Sequence, residues 1–253
     1  MTSIPLQNCG KKMSSGEGLE MIRLNIVVEG QTEEEFVKSS LAPHLGLLSV
    51  FAVARSVETS RRRSRIYRGG LLDYARAKRD IARWMKEDNH PEALFTTMFD
   101  LFRLPSEFPG YERAKQSSDP FKRVAILEEA FQLDMGSHRF IPYIQLHEYE
   151  ALLFSDPSRF SLEFLNRERE VQNLIKIGSA FQTPELIDDG PTTSPSKRII
   201  QEIPEYEGRK VSAGPHVARE IGLPAIRKKC SHFNEWLSKL ESSDSIKPSP
   251  GPC

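Results

Sequence analysis

The chain is poor in cysteine, has no net charge and contains no long apolar run. Its three cysteines, Cys9, Cys230 and Cys253, are odd in number and far apart. That excludes a disulfide framework and a zinc-ligand cluster, and points to a reducing cytoplasm. Its 35 basic and 35 acidic side chains cancel. Any contact with nucleic acid must therefore come from a local patch and not from overall basicity. No apolar stretch approaches the roughly 18 residues of a membrane span, and the N-terminus lacks a secretory apolar region, so no membrane association is expected. No Gly-x-Gly-x-x-Gly follows the first strand and no Gly-Lys-Ser/Thr occurs anywhere, which disfavours dinucleotide and P-loop enzymes. No internal repeat is present.

What remains is an ordinary globular composition, 38% hydrophobic and 28% charged, long enough for one large domain or two small ones. Residues 1–20 are polar and contain Gly and Ser, and read as a flexible leader. Residues 242–253, rich in Ser and Pro, read as a disordered tail. Between them a core over 21–160 and a helical C-terminal portion over 161–241 are expected.

The organising stretch is Leu24 to Phe36. Leu24–Val28 is a β-branched run suited to a strand covered on both faces. Glu29 falls at its carboxyl end, and Gly30 permits a sharp turn. Thr32 and Glu35 have capping-box spacing, so a helix is predicted from Glu33, with Phe36, Val37, Ser40, Leu41, Leu45 and Leu48 facing the core. Glu33, Glu34 and Glu35 read as first-turn carboxylates complementing the helix dipole. Glu29 differs, because ligands of open α/β sheets bind at the carboxyl ends of strands.

Further strands are expected at 49–54, 94–99 and 140–146, the last weakened by Pro142. Helices are expected at 73–88, at 120–135 with Val124, Leu127, Ala130, Phe131 and Leu133 inward, from Ser196, and over 214–239 with a break at Gly222-Leu223-Pro224. Asp100 ends the third strand; His147, Glu148 and Glu150 follow the fourth. Each taken alone has a bland reading: a hydrogen-bonded histidine, or carboxylates at a helix start. Together, three strands hand over to Glu29, Asp100 and Glu148 or Glu150, which a parallel sheet would gather at one edge. Crowded carboxylates repel and raise one another's pKa. A divalent cation offsets that cost, and hard oxygen ligands suit Mg²⁺ or Mn²⁺ at a site that handles phosphates.

Arg61, Arg62, Arg63, Arg65 and Arg68 are the densest charge in the chain. They read either as a solvated loop or as a phosphate-gripping one. Lys197, at a turn-rich helix start, is either a surface residue or a group that stabilises charge on a phosphate.

Four ordered blocks resemble the DUF4276 family, a group of Toprim-like proteins. They are Val27 to Phe36, Phe99-Asp100 through Phe108-Pro109-Gly110, Gln145 to Ala151, and Asp189 to Arg198, within a span of about 22–235. The resemblance implies a Toprim/Rossmann-like, mostly parallel sheet flanked by helices, with a metal-binding glutamate after the first strand. It also implies a likeness to nucleases of the overcoming-lysogenization-defect type, which use further acids and a lysine. Such proteins often accompany an ABC/SMC-like ATPase in antiphage defence. Toprim domains carry an Asp-x-Asp after a later strand; here Phe102 stands where the second Asp would be. Glu148 or Glu150, or less readily Glu107, would then supply the missing oxygen.

The expectation is thus a Mg²⁺- or Mn²⁺-dependent nuclease with Glu29, Asp100, Glu148 and Glu150 as metal-binding and catalytic residues. Lys197 and the arginine loop would hold phosphates, and a homodimer is compatible with this. A catalytically degenerate module that binds nucleic acid or an ATPase is one alternative, and nucleotidyl transfer is another.

Overall fold

The computed structural model describes residues 21–57, 73–187, 190 and 192–242. The first strand, β1 (Ile22–Val28), pairs in parallel on one side with β2 (Val50–Ser56) and on the other with β3 (Ala93–Asp100). Short strands β4 (Phe140–Ile141) and β5 (Ile144–Gln145) also run parallel to β3. The order is β2-β1-β3-β4. Being central, β1 is buried from Leu24 to Val28, which is why that stretch is apolar except for Asn25, whose amide bonds the Leu94 carbonyl and the Arg55 side chain; Arg23, nearer its start, is exposed.

The strand predicted at 140–146 is two fragments. Pro142 has no N–H to give the ladder. In its place the Thr97 hydroxyl bonds both the Tyr143 N–H and carbonyl, at 3.0 and 2.9 Å.

Side chains alternate across the sheet. Ile22, Leu24, Ile26, Val28, Val50, Ala52, Leu94 and Met98 point to one face. That face is covered by α1 (Gln31–Phe36), a π-helical turn over Val37–Leu41, and α2 (Ala42–Gly46). The opposite face, with Val27, Phe95 and Phe99, packs on α3 (Tyr74–Glu87) and α5 (Pro120–Met135); a short α4 (Tyr111–Lys115) lies between them in sequence.

The C-terminal half is helical: α6 (Phe160–Glu163), α7 (Glu168–Ser179), α8 (Pro195–Glu202), α9 (Tyr206–Ile221), α10 (Leu223–Lys229) and α11 (Ser231–Glu241). These helices join the core of the first face. Trp236 of α11 donates to Thr96 of β3 at 2.8 Å and stacks on Tyr143 with ring centroids 4.2 Å apart. Among the described residues no helix is long and apolar enough to cross a membrane.

Several local expectations are corrected. The first helix starts at Gln31 with Gly30 as its N-cap, and no side chain caps it, so the Thr32/Glu35 box does not form. Gly30 is extended, φ −151°. What favours glycine there is space, since a Cβ would come within 3.1 Å of the Glu33 carboxylate. The helix ends at Gly46, which leaves Leu48 exposed, and Leu133 of α5 also faces outward. Strand β2 lies slightly later than expected, and the helix predicted from residue 214 begins at Tyr206.

Candidate active site

The carboxyl ends of β1 and β3 lie side by side, because Val28 is in register with Met98. Glu29 and Asp100 extend just past that point. The Asp100 N–H donates to Glu29 Oε1 at 2.8 Å, and Asp100 Oδ1 accepts the Tyr149 N–H at 3.0 Å. Phe102 N–H donates to the His147 carbonyl at 3.0 Å. Three strand-end segments are thereby stitched together. His147 is buried and sits at φ 61°, a left-handed conformation uncommon for a non-glycine residue. That reversal turns the chain so that Glu148 and Glu150 are buried against the same edge.

Glu148 accepts the Ser196 N–H, at the positive end of α8. Glu150 lies 3.2 Å from Lys210 Nζ and accepts from the Tyr206 hydroxyl at 3.4 Å. Both partners come from α9.

Glu33 belongs to this group as well. It stands in the first turn of α1, as expected, but it is buried. Burial first of all, with the Glu150 charge adding, pushes its pKa up to about 7, against the pull of Lys210 and backbone N–H groups. Asp100 is raised well above the usual carboxylate range by burial, then by the charges of Glu29, Glu33, Glu148 and Glu150. Glu150 is raised by burial and by Glu148, with Lys210 opposing. Five carboxylates therefore feel one another at one sheet edge. Lys210 forms an ion pair with one member of the group, Glu150.

Of the other predicted residues, Lys197 is exposed and makes no ion pair among the described residues. Glu107 is exposed and accepts from Ser106 at 3.3 Å. Arg61, Arg62, Arg63, Arg65 and Arg68 lie outside the described residues. Glu33 and Lys210 went unread in the sequence. The signal for Glu33 was its phase: with Phe36 and Val37 it has the i, i+3, i+4 spacing of one helix side. Lys210 is one turn after the buried Tyr206 on α9, a cue visible only once that helix is placed.

The profile of a family described as a domain of unknown function, DUF4276, matches residues 28–241. The chain belongs to DUF4276. The stretch matched holds all five carboxylates and Lys210 of this DUF4276 protein. No curated protein matches the chain. Among solved structures, it is similar to the C-terminal region of the Burkholderia pseudomallei OLD protein. The identity is 15% and the TM-score 0.45, over 90% of this chain and 100% of that one.

The donor set can be tested against a metal. Among the described residues no three His, Cys, Asp or Glu side chains form a ligand set; Glu29, Asp100 and Glu148 each accept a backbone N–H. Mg²⁺ in phosphate-handling sites is held by one or two carboxylates, with water and substrate oxygens supplying the rest. The hard carboxylate oxygens at this edge fit such a sparse site.

Proposed function

We propose that this DUF4276 protein is a metal-dependent nuclease that hydrolyses phosphodiester bonds in nucleic acid. One observation supports the reading: at the carboxyl edge of a parallel sheet Asp100 lies within reach of the charges of Glu29, Glu33, Glu148 and Glu150, which with burial raise its pKa. Buried like charges cost stability, and such arrangements are concentrated at functional sites.

Glu29 and Asp100 would hold Mg²⁺ or Mn²⁺, with Glu148 or Glu150 beside them. The bound cation would supply positive charge against the charge that develops on the phosphoryl oxygens. Glu33, with a pKa of about 7, would take the proton of the attacking water as the phosphorus–oxygen bond to the leaving strand breaks. Lys210 would oppose the rise in the Glu150 pKa, and the α8 N-terminus would orient Glu148. Lys197, exposed on the first turn of α8, and the arginines of 61–68 would meet backbone phosphates. An ATPase partner of the ABC/SMC-like class, and a role in antiphage defence, rest on the family resemblance alone.

The test is cleavage of supercoiled plasmid and single-stranded RNA with Mg²⁺ or Mn²⁺, with Glu29→Gln and Asp100→Asn alongside. Metal-dependent cutting lost in both variants supports the assignment; cutting retained in correctly folded variants overturns it. A binding module without chemistry is favoured by one feature: Phe102, 41% exposed, stands two residues after Asp100 where a further acid would serve a metal. Binding without cutting under every metal condition would favour that reading.

A further inference from the structure

The geometry points to pairing of the chain with a second copy of itself, along the outer edge of β2. The strand is terminal in the sheet order, so among the described residues its outer edge has no strand partner. Protected edges usually carry proline, a bulge or outward charge. β2 has no proline, and its register with β1 runs unbroken from Val50 to Ser56. Its one charged residue, Arg55, is drawn inward. Nε donates to Asn25 Oδ1 at 2.7 Å, and the guanidinium lies 5.5 Å from the centre of the Trp84 ring.

Among the described residues no helix covers the adjoining sheet face at Phe51 and Val53. Helices α3 and α5 lie over the β3 side, and beyond them Phe51 and Val53 are 59% and 36% exposed. Met21, 59% exposed, continues this strip, since the β1–β2 register extended by one residue puts it beside Ser49 on the face of Phe51. Leu47 and Leu48, exposed just before the strand, border it. In α/β domains with parallel sheets both faces are ordinarily covered. A bare apolar strip next to an open edge marks an interface or an aggregation hazard.

A second copy fits the strip in shape and charge. An antiparallel pair with its two-fold at Ala52 sets Phe51 opposite the partner's Val53, and Val53 opposite the partner's Phe51. Aromatic and β-branched residues are a favourable cross-strand pair. Val50 and Ala54 would meet on the other face. Arg55 is the one charged residue of β2, and in this register it stands past the partner's Val50, where β2 begins, so no like charges oppose one another along the strand. Continuing the sheet antiparallel turns the two carboxylate edges to opposite sides, which leaves each site open to its own substrate.

The experiment is light scattering on the full chain across a micromolar dilution series, with hydrogen exchange of residues 50–56. Wild type should have twice the mass of one chain at the upper concentrations. Phe51→Glu and Val53→Lys should raise the dissociation constant at least tenfold while circular dichroism and Tm stay unchanged, since both side chains are exposed. Amides of β2 should exchange faster in the variants. A wild type that stays monomeric throughout overturns the proposal, as does a dimer that both variants leave intact.

Discussion

Carboxylates in two places in this molecule, at α11 and at the sheet edge, are treated in opposite ways. Glu185 is fully buried and alone, and α11 begins on it. It accepts the His232 and Phe233 N–H groups at 3.2 and 2.9 Å and the Ser231 hydroxyl at 3.5 Å. Burial still raises its pKa, but donors surround it. At the sheet edge five carboxylates crowd together, and the charges of four of them add to the rise of the Asp100 pKa. A carboxylate buried by itself is ringed by donors; carboxylates in a crowd raise one another's pKa. Crowding of like charge costs stability, and such arrangements are concentrated at functional sites.

The contrast breaks most sharply by exchanging charge for amide. Asp100→Asn and Glu29→Gln should lower metal-dependent cleavage at least a hundredfold, while the metal-free chain melts no lower than wild type, because like-charge repulsion is relieved. Glu185→Gln should do the reverse. Half of its acceptors become a donor facing N–H groups, costing about 1–3 kcal/mol in denaturant unfolding, with cleavage per folded molecule unchanged. If Glu185→Gln abolished cutting and Asp100→Asn only destabilised, the two regions would have been assigned the wrong way round.

Lys210→Met tests how far one cation holds the crowd together. It leaves Glu150 buried beside Glu148 without its ion pair, and should cost about 1–2 kcal/mol after allowance for the partial exposure of Lys210. Glu150→Gln in the same chain should restore most of that loss. Additive effects in this cycle would show the pair to be uncoupled.

The pH dependence of metal-free stability gives a smaller effect with a definite sign. Glu33 is raised from 4.5 to about 7, so between those values the native state holds a proton that the unfolded chain has released. Stability should therefore fall as pH rises from about 5 to 7.5 and level off above, by an amount on the order of 1–3 kcal/mol. Raised Glu185 and His232 slope the same way, so the diagnostic is the difference between wild type and Glu33→Gln in urea titrations. Saturating Mn²⁺ should flatten the Glu33 part. Equal slopes in the two proteins would remove Glu33 from the crowd.

The smallest expected effect belongs to Phe102→Ala. Under the nuclease reading the rate changes little. Under the binding reading, loss of a stacking surface should weaken single-stranded nucleic acid by about 1–3 kcal/mol, measured by fluorescence anisotropy.

Much of the frame was legible in the sequence because central parallel strands write themselves as apolar runs. Strand β1 and strand β3 were found that way, and Glu29 and Asp100 followed from standing at their ends. The short β4 and β5 were harder, since Pro142 divides a run that otherwise reads as one strand. Glu33 was hidden by a competing explanation, because acids in a first helical turn are common for dipole reasons alone. Lys210 carried no local mark. Its pairing depends on where α9 packs, and Gly214 shows how closely it does: a Cβ there would come within 2.9 Å of the Tyr206 hydroxyl and 3.3 Å of the Tyr149 ring.

The docking of α9 on α1 also sets a timetable. Glu29 and Glu33 emerge early during synthesis, whereas Lys210 and the Tyr206 hydroxyl emerge near the end. Until α9 arrives, Glu150 lacks its counter-ion and the acid edge repels itself open. The nascent chain therefore completes its acidic corner last, and a ribosome product stalled before residue 206 would hold Glu150 without Lys210.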